Sequence, residues 1–296
     1  MGTDYSEAIK TIDPDRHVVI AGPTASGKSA LALAIAKAQG GTIVNADAMQ
    51  IWSCWRVLTA RPDAADLASA PHALYGHVDP GQSYSVGDWL GDVAGLQGRL
   101  IIAGGTGLYL TALTSGLAHI PPVPPEIRDT GDAILAAGGL EDMIAALDDA
   151  SRDKIDLQNP ARVQRAWEVL QATGRGIVEW QSDTPPPLIA PDDATCLVMA
   201  SDRDWLAKRI VVRFAHMWQM GAVDEVRAMM PKWDERAQWA RAIGAPEIAA
   251  YLRDEIDAKT AKARSIIATR QYAKSQRIWF RSRMKGWQIL RVGPTG

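Results

Sequence analysis

A glycine-rich segment between an apolar run and a helix-forming stretch constrains this chain most. Residues 22–29 have the sequence G-P-T-A-S-G-K-S, which matches the phosphate-loop pattern G-x-x-x-x-G-K-[ST]. The apolar run 17–22 predicts a strand before this phosphate loop, and the Ala- and Leu-rich stretch 30–39 predicts a helix after it. A strand, a glycine loop and a helix in this order indicate the start of an α/β sheet that binds phosphate.

Four later apolar runs predict further strands. Their positions are residues 42–46, 99–103, 195–200 and 288–292. Helical patterns separate these runs, so we expect an α/β fold with a P-loop-type parallel sheet and helices on both faces. Ligands of such sheets bind beyond the carboxyl ends of the strands. Asp47 and the glycine-rich turn 104–107 follow two of the predicted strands, so they are candidates for the ligand site.

A proline-bounded segment divides the chain. It opens with P-P-V-P-P at residues 121–125, closes with P-P-P at 185–187 and contains helix-forming stretches. We therefore predict a helical insertion domain at residues 121–190, with residues 1–120 and 191–296 forming the catalytic core. The predicted helices are residues 140–147 and 160–173 in the insertion and 205–230 and 259–281 beyond it.

The phosphate loop has a simple physical basis. Its glycines let successive backbone N–H groups turn toward phosphate oxygens, and the following helix N-terminus adds partial positive charge. Lys28 would neutralise a terminal phosphate, and the Ser29 hydroxyl can ligate Mg²⁺. The predicted phosphate-binding residues are Gly22, Thr24, Ala25, Ser26, Gly27, Lys28 and Ser29.

Asp47 is the carboxylate placed at a strand end. ATPases and GTPases usually hold Mg²⁺ with an Asp after an apolar strand, but the run 99–103 here ends in a glycine turn instead. From its position alone, Asp47 could be a metal ligand, a general base or the N-cap of a following helix.

Basic residues are concentrated near the C-terminus. Residues 258–291 contain ten Lys and Arg and no acidic residue, whereas the rest of the chain has 22 basic and 34 acidic side chains. The net charge of −2 therefore hides a basic C-terminal segment in an otherwise acidic chain. This distribution favours a polyanionic partner, with a solvated basic helix as the alternative. The two cysteines favour a reducing cytoplasm, and no apolar run approaches the roughly 20 residues of a membrane-spanning helix.

Several motifs together resemble the tRNA dimethylallyltransferase family, in that family's order. Besides the phosphate loop, they are N-A-D-A-M-Q at 45–50, T-A-R-P at 59–62, Y-S-V at 84–86, G-G-T-G-L-Y at 104–109, N-P-A-R at 159–162 with Arg165 and Thr173-Gly174, and T-R-Q-Y-A-K at 269–274. This resemblance implies transfer of a prenyl group from dimethylallyl diphosphate to the exocyclic amine of the adenosine on the 3′ side of the anticodon. The phosphate loop would then hold the donor's diphosphate with Mg²⁺.

The resemblance also implies roles for individual residues. Arg213 would stabilise the leaving diphosphate, and Asp47 would accept a proton from the attacking amine or hydrogen-bond to it, with the Thr106 hydroxyl nearby. The alternative for Arg213 is a surface position on an amphipathic helix. Gln50 would contact the adenine edge through its amide, or be an exposed helix residue. The base would have to leave the anticodon loop and enter a pocket.

The expected tRNA contacts lie in three regions. They are Asp47, Ala48, Met49, Gln50 and Thr106 at the site; Arg128, Arg162 and Arg165 in the insertion; and Arg241, Arg270, Lys274 and Arg277 in the C-terminal part. On a helix, the last three fall in one basic stripe. Arg162 and Arg165 could instead pair with Asp156 or Glu168.

The chain departs from the family pattern at several positions, among them Ala48, where a Ser is usual. Two other functions compete with the prenyltransferase. One is a small-molecule or nucleotide kinase that uses ATP, and the other is a non-catalytic RNA-binding protein of the same fold. We expect a cytoplasmic monomer that binds the tRNA anticodon stem-loop and no membrane.

Overall fold

A single parallel sheet forms the framework in the computed structural model, which describes residues 5–293. Within those residues, six strands pair in the order β3-β2-β4-β1-β5-β6, all in parallel. The strands are β1 (His17–Ala21), β2 (Thr42–Asn45), β3 (His72–Ala73), β4 (Leu100–Gly104), β5 (Ala194–Ser201) and β6 (Gln288–Val292). The predicted α/β class is confirmed. Strand β3 was not predicted, because it has two residues and no recognisable pattern.

Helices connect these strands. They are α1 (Ser6–Lys10), α2 (Lys28–Gln39), α3 (Ala64–Ser69), α4 (Val86–Ala94), α5 (Gly107–Ser115), α6 (Pro125–Ala136), α7 (Leu140–Ala145), α8 (Asp149–Lys154), α9 (Pro160–Thr173), α10 (Ile177–Ser182), α11 (Arg203–Gln219), α12 (Ala222–Met229), α13 (Ala245–Leu252) and α14 (Ala258–Arg283). No helix among residues 5–293 is long and apolar enough to cross a membrane.

Successive strand residues point to opposite faces of the sheet, and both faces are buried. Val18 and Ile20 pack with Leu31 of α2 on one face. Val19 packs with Trp89 of α4 on the other face, where α5 and α14 also contribute side chains. The continuous apolar character of these strands therefore reflects helices on both sides of the sheet.

Trp89 fixes one of these helices to the strand that precedes the site. It is fully buried and its indole Nε1 donates to the carbonyl oxygen of Asn45 at 2.8 Å. Its ring stacks on Tyr109 with the centroids 4.6 Å apart. Trp89 thus acts in packing, and its polar N–H is also satisfied.

The predicted helix at 205–230 is interrupted. Helix α11 ends at Gln219 and α12 begins at Ala222, with Gly221 between them at φ 107°. A left-handed backbone conformation is open to glycine at little steric cost, and it cannot continue an α-helix. The apolar periodicity continues across this break, so periodicity alone could not locate it.

Residues Ser115–Pro187 form a separate compact unit, and the described residues on either side form the other. The smaller unit holds α6–α10, and it has its own core, in which Met143, Leu147, Val163 and Ala166 are buried. The bounds of this unit differ from the predicted insertion, residues 121–190. It begins before the first proline-rich stretch and ends with the second.

Candidate active site

The phosphate loop lies between the end of β1 and the start of α2. Ala25 has a left-handed backbone, with φ 64°, which is a strained conformation for a residue with a side chain. Its carbonyl oxygen accepts a hydrogen bond of 2.8 Å from Nε of Arg209. The exposed side chain of Arg209 thus holds the loop, and the sequence did not indicate this contact because Arg209 lies on α11, far along the chain.

Lys28 begins α2 and points back over the loop. Its Nζ donates to the carbonyl oxygen of Pro23 at 2.9 Å. Loss of hydration lowers the pKa of Lys28 to about 8, an effect opposed by the negative charge of Asp47 and reinforced by Arg213. A second anion at this position would favour the charged form of the lysine.

Asp47 stands in a turn after β2 rather than at the start of a helix. Its Oδ1 accepts a hydrogen bond of 3.0 Å from the backbone N–H of Met49, which leaves Oδ2 for other partners. Asn45 holds the turn by accepting from Asp47 N at 2.9 Å and donating to Asp47 O at 3.0 Å. The N-cap alternative is therefore wrong, because residues 48–51 form a turn and no helix begins directly after Asp47.

Thr106, which follows β4, supports the same turn. Its Oγ1 accepts a hydrogen bond of 2.9 Å from Ala48 N, and its hydroxyl also bonds to Tyr272. The hydroxyl thus lies beside the turn that carries Asp47, and these bonds give it a role in fixing that turn.

Gln50 is neither on a helix nor exposed. Its Nε2 donates to the carbonyl oxygens of Thr59 at 2.8 Å and Ala60 at 3.1 Å. Both amide protons therefore have partners within the protein, and only the amide oxygen is left to meet a base. The alternative of an exposed helix residue is wrong.

Arg213 lies inside the site rather than on the surface. Its guanidinium donates to Oγ1 of Thr24 and to the carbonyl oxygen of Thr59, each at 3.4 Å. Burial lowers its pKa, Asp47 opposes the effect and Arg209 adds to it. The hydrogen bonds are long and no carboxylate among residues 5–293 forms an ion pair with Arg213, so its charge is available to a ligand. The surface alternative is therefore wrong.

The carboxylate of Glu225, which is not among the predicted site residues, supports the loop beside Arg213. Glu225 on α12 accepts three hydrogen bonds of 2.8 to 3.0 Å from the backbone N–H groups of Arg56, Val57 and Leu58. The next residue, Thr59, carries the carbonyl that Arg213 and Gln50 share. Glu225 thus fixes a loop that has no secondary structure of its own.

Residues of the phosphate loop, the turn after β2, α11 and α14 line one cleft that opens to solvent. Its polar lining comes from Thr24, Asp47, Thr59, Arg213, Thr269 and Tyr272. Its apolar lining comes from Ala25, Met49, Leu58, Ile210, Phe214, Met217 and Ile243. An anion site with a carboxylate and an adjoining apolar wall suits a ligand with a charged head and a short hydrocarbon tail.

Helix α14 borders this cleft and presents basic side chains to solvent. Arg270 and Lys274 are exposed, and Arg277 is partly exposed. Burial lowers the pKa of Arg277, and the like charges of Arg203 and Arg281 lower it further, which marks a local excess of positive charge. Lys262, nearer the start of the same helix, has its Nζ 4.6 Å from the ring centroid of Trp218.

The other predicted tRNA contacts are not in the cleft. Arg162 pairs with Asp156 at 3.6 Å, and Arg165 approaches Glu168 at 3.9 Å, as the alternative for these residues supposed. Arg128 is exposed in the same small unit. The exposed pair of Arg162 and Asp156 contributes little stability, so Arg162 remains free to exchange partners, whereas Glu168, the partner of Arg165, is buried. Arg241, in the larger unit, is exposed and donates to the carbonyl of Arg236 at 3.4 Å.

Comparisons with protein families and curated proteins match nearly the whole chain. A family model described as IPP transferase matches residues 50–283, and one described as isopentenyl transferase matches residues 16–74. A tRNA dimethylallyltransferase of Paracoccus denitrificans is 62% identical over 291 residues, covering 95% of this chain and 96% of that protein. One from Dinoroseobacter shibae is 55% identical over 290 residues, covering 96% and 98%.

Solved structures agree with these matches. The full-length tRNA isopentenylpyrophosphate transferase from Bacillus halodurans is similar with a TM-score of 0.66 and 28% identity, covering 94% of this chain and 90% of that one. A eukaryotic dimethylallyltransferase acting on tRNA shares the fold, with a TM-score of 0.77 at 23% identity and coverage of 93% and 73%.

Proposed function

Because this chain belongs to the tRNA dimethylallyltransferase family, we propose that the cleft joins dimethylallyl diphosphate to a tRNA adenosine. The bond forms between the exocyclic N6 amine of the adenosine 3′-adjacent to the anticodon and the allylic carbon of the donor, and diphosphate leaves. The observation that carries this proposal is the convergence of the phosphate loop, Asp47 and Arg213 on one cleft with an apolar wall. The family matches support this prenyltransferase and not a kinase.

The donor's diphosphate binds at the phosphate loop. Backbone N–H groups of the loop and the start of α2 provide partial positive charge, and Lys28 and Arg213 add full charges. Negative charge on the diphosphate increases as its bond to the allylic carbon breaks. Cations already fixed at that position stabilise the transition state more than the ground state.

The acceptor adenine enters from the side of Asp47. Its N6 amine is a poor nucleophile, so holding it in line with the allylic carbon supplies much of the rate. The nitrogen lone pair forms the new C–N bond, and the amine's proton passes to Oδ2 of Asp47, the oxygen not engaged by Met49 N. Thr106 and Asn45 keep the carboxylate in place through the backbone of the turn.

The residues present fit Mg²⁺ as the cofactor. Ser29 is exposed in the first turn of α2, where its hydroxyl can ligate a cation bound to the diphosphate. Mg²⁺ commonly takes one or two protein oxygens and completes its shell with phosphate oxygens and water. A dedicated cluster of metal-binding side chains is therefore not required, and none occurs among residues 5–293. When bound, Mg²⁺ would neutralise charge on the leaving diphosphate.

The tRNA anticodon stem-loop lies along the exposed basic face of α14. Arg270, Lys274 and Arg277 have no acidic partner in the described part of the chain, so they can neutralise backbone phosphates. Arg128, Arg162, Arg165 and Arg241 provide further cations for the same substrate. Because tRNA substrates are handled in the cytoplasm, we place the enzyme there, and we propose that it acts as a monomer.

Affinity for tRNA should depend steeply on salt. Three phosphate contacts on α14 predict a loss of about 20- to 40-fold between about 50 and 200 mM salt. Changing Arg270, Lys274 and Arg277 to Gln should flatten this dependence, and Lys232→Gln, an exposed lysine outside α14, should not. Binding isotherms at several salt concentrations measure both. An unchanged slope in the triple variant would remove α14 from the interface.

The reaction itself is tested with labelled dimethylallyl diphosphate and unmodified tRNA whose anticodon is followed by adenosine. We expect one prenyl group per tRNA, located on N6 of that adenosine by mass spectrometry, and no transfer when the adenosine is replaced by guanosine. Removing Mg²⁺ with EDTA should abolish turnover, and adding Mg²⁺ back should restore it. Failure of the complete mixture to prenylate tRNA would refute the proposed function.

A further inference from the structure

Gln276 on α14 connects two parts of the cleft that lie far apart in the chain. Its Oε1 accepts a hydrogen bond of 2.8 Å from Thr24 N in the phosphate loop. Its Nε2 donates to the carbonyl oxygen of Gly105, also at 2.8 Å. The side chain is 4% exposed, so both bonds are shielded from water. One amide thus joins the donor side of the site to the glycine-rich turn on the acceptor side.

Tyr272 extends this connection by one helical turn. Its hydroxyl hydrogen-bonds to the side chains of Gln276 and Thr106. Thr106 in turn accepts from Ala48 N beside Asp47. Contacts of Gln276, Tyr272 and Thr106 therefore link the phosphate loop through α14 to the turn that carries the carboxylate.

The fit around Gln276 leaves little room for movement. A Cβ atom at Gly105 would lie 2.2 Å from the Gln276 Nε2, so the backbone approaches this amide as closely as glycine allows. The neighbours Lys274 and Arg277 are on the solvent side of the same helix. The helix that would meet tRNA on one side thus holds both halves of the cleft on the other.

We propose that Gln276 is a positioning residue that sets the distance between the donor's diphosphate and the carboxylate of Asp47. It does not touch the reacting atoms. It fixes Thr24 and Gly105 relative to one helix, so that the allylic carbon and the amine meet in line. This inference rests on the proposed function. It adds that the distance between the diphosphate and Asp47 must be fixed, which neither the phosphate loop nor Asp47 does alone.

Gln276→Met tests the proposal, since it keeps the length of the side chain and removes both polar atoms. We expect kcat to fall about 100-fold, the loss typical of a displacement of about 1 Å between reacting groups. The Kd for tRNA should stay within about twofold of wild type, because the exposed face of α14 is unchanged. Gln219→Met, the same change at an exposed helical glutamine, is the matched control and should keep wild-type kcat.

Gln276→Glu gives a signature that loss of packing would not. The carboxylate can still accept from Thr24 N, but its other oxygen faces the Gly105 carbonyl with no proton to donate. Burial raises the pKa of such a carboxyl group, so its protonated form, which does donate, becomes populated as the pH falls. The ratio of variant to wild-type kcat should therefore rise about tenfold between about pH 8.5 and 6.

Binding of inorganic diphosphate gives a readout that does not need prenyl transfer. Calorimetry should show weaker binding to Gln276→Met than to wild type, since Thr24 is no longer held. If wild type fails to prenylate tRNA, the proposed function fails and this measurement still tests Gln276. Should Gln276→Met not fold, the pH profile of Gln276→Glu decides. Wild-type kcat and wild-type diphosphate affinity in Gln276→Met, or a flat ratio in Gln276→Glu, would overturn the proposal.

Discussion

Asp47→Asn is expected to lower kcat for prenyl transfer by about 10²- to 10⁴-fold, the range for loss of a positioned general base. Asparagine keeps the oxygen that accepts from Met49 N at 3.0 Å, so the turn should persist. The variant loses the carboxylate that would take the proton from the attacking amine. Single-turnover measurements with saturating donor and tRNA isolate this step from binding.

Asp79→Asn is the control for this change. Asp79 Oδ1 accepts from Gly81 N at 2.8 Å in an exposed turn. This bond is of the same type as that between Asp47 Oδ1 and Met49 N, but Asp79 does not line the cleft. It should retain wild-type kcat and the wild-type melting temperature. The proton-acceptor role of Asp47 would be abandoned if Asp47→Asn turned over within threefold of the control.

Lys28→Met should reduce kcat/KM for the donor by about 10²- to 10³-fold, because one fixed charge on the leaving diphosphate is lost. Lys37→Met, an exposed lysine near the other end of α2, should have no such effect and serves as the control. Steady-state kinetics at saturating tRNA measure both. Equal kcat/KM in the two variants would remove Lys28 from diphosphate binding.

The pH dependence of donor binding should identify the same lysine. The pKa of Lys28 is lowered to about 8 by burial in the free protein, so its charge is present below that pH and is lost as the pH rises through it. Diphosphate favours the charged form, so donor affinity should be highest below about pH 8 and should fall above it. Titrations with donor alone measure this, and Lys28→Met should show no fall over the same range.

The sequence predicted those parts of the site whose residues are close together in the chain. The β1 strand, the phosphate loop and α2 follow from local apolar and glycine patterns, and Asp47 was found because it ends a strand. The motifs and their order in the chain indicate the family from the sequence alone.

Contacts between distant segments could not be predicted. Thr24 and Gln276 are 252 positions apart, and no pattern in either segment indicates the other. Glu225 holds three consecutive N–H groups of an irregular loop, and only the folded backbone shows that these groups point the same way. The alternative of an exposed helix at Gln50 arises because the turn after Asp47 has a composition that a helix would also accept.

The bond between Thr24 and Gln276 has a consequence for a chain made from its N-terminus. When only the first 250 residues have been synthesised, the residues of the phosphate loop and Asp47 are present, but α14, which begins at Ala258, is not. The loop then lacks the acceptor for Thr24 N, and the basic face for RNA is absent as well. A nascent chain would therefore complete its proposed donor site and its proposed RNA surface at the same late stage of translation, with the same helix.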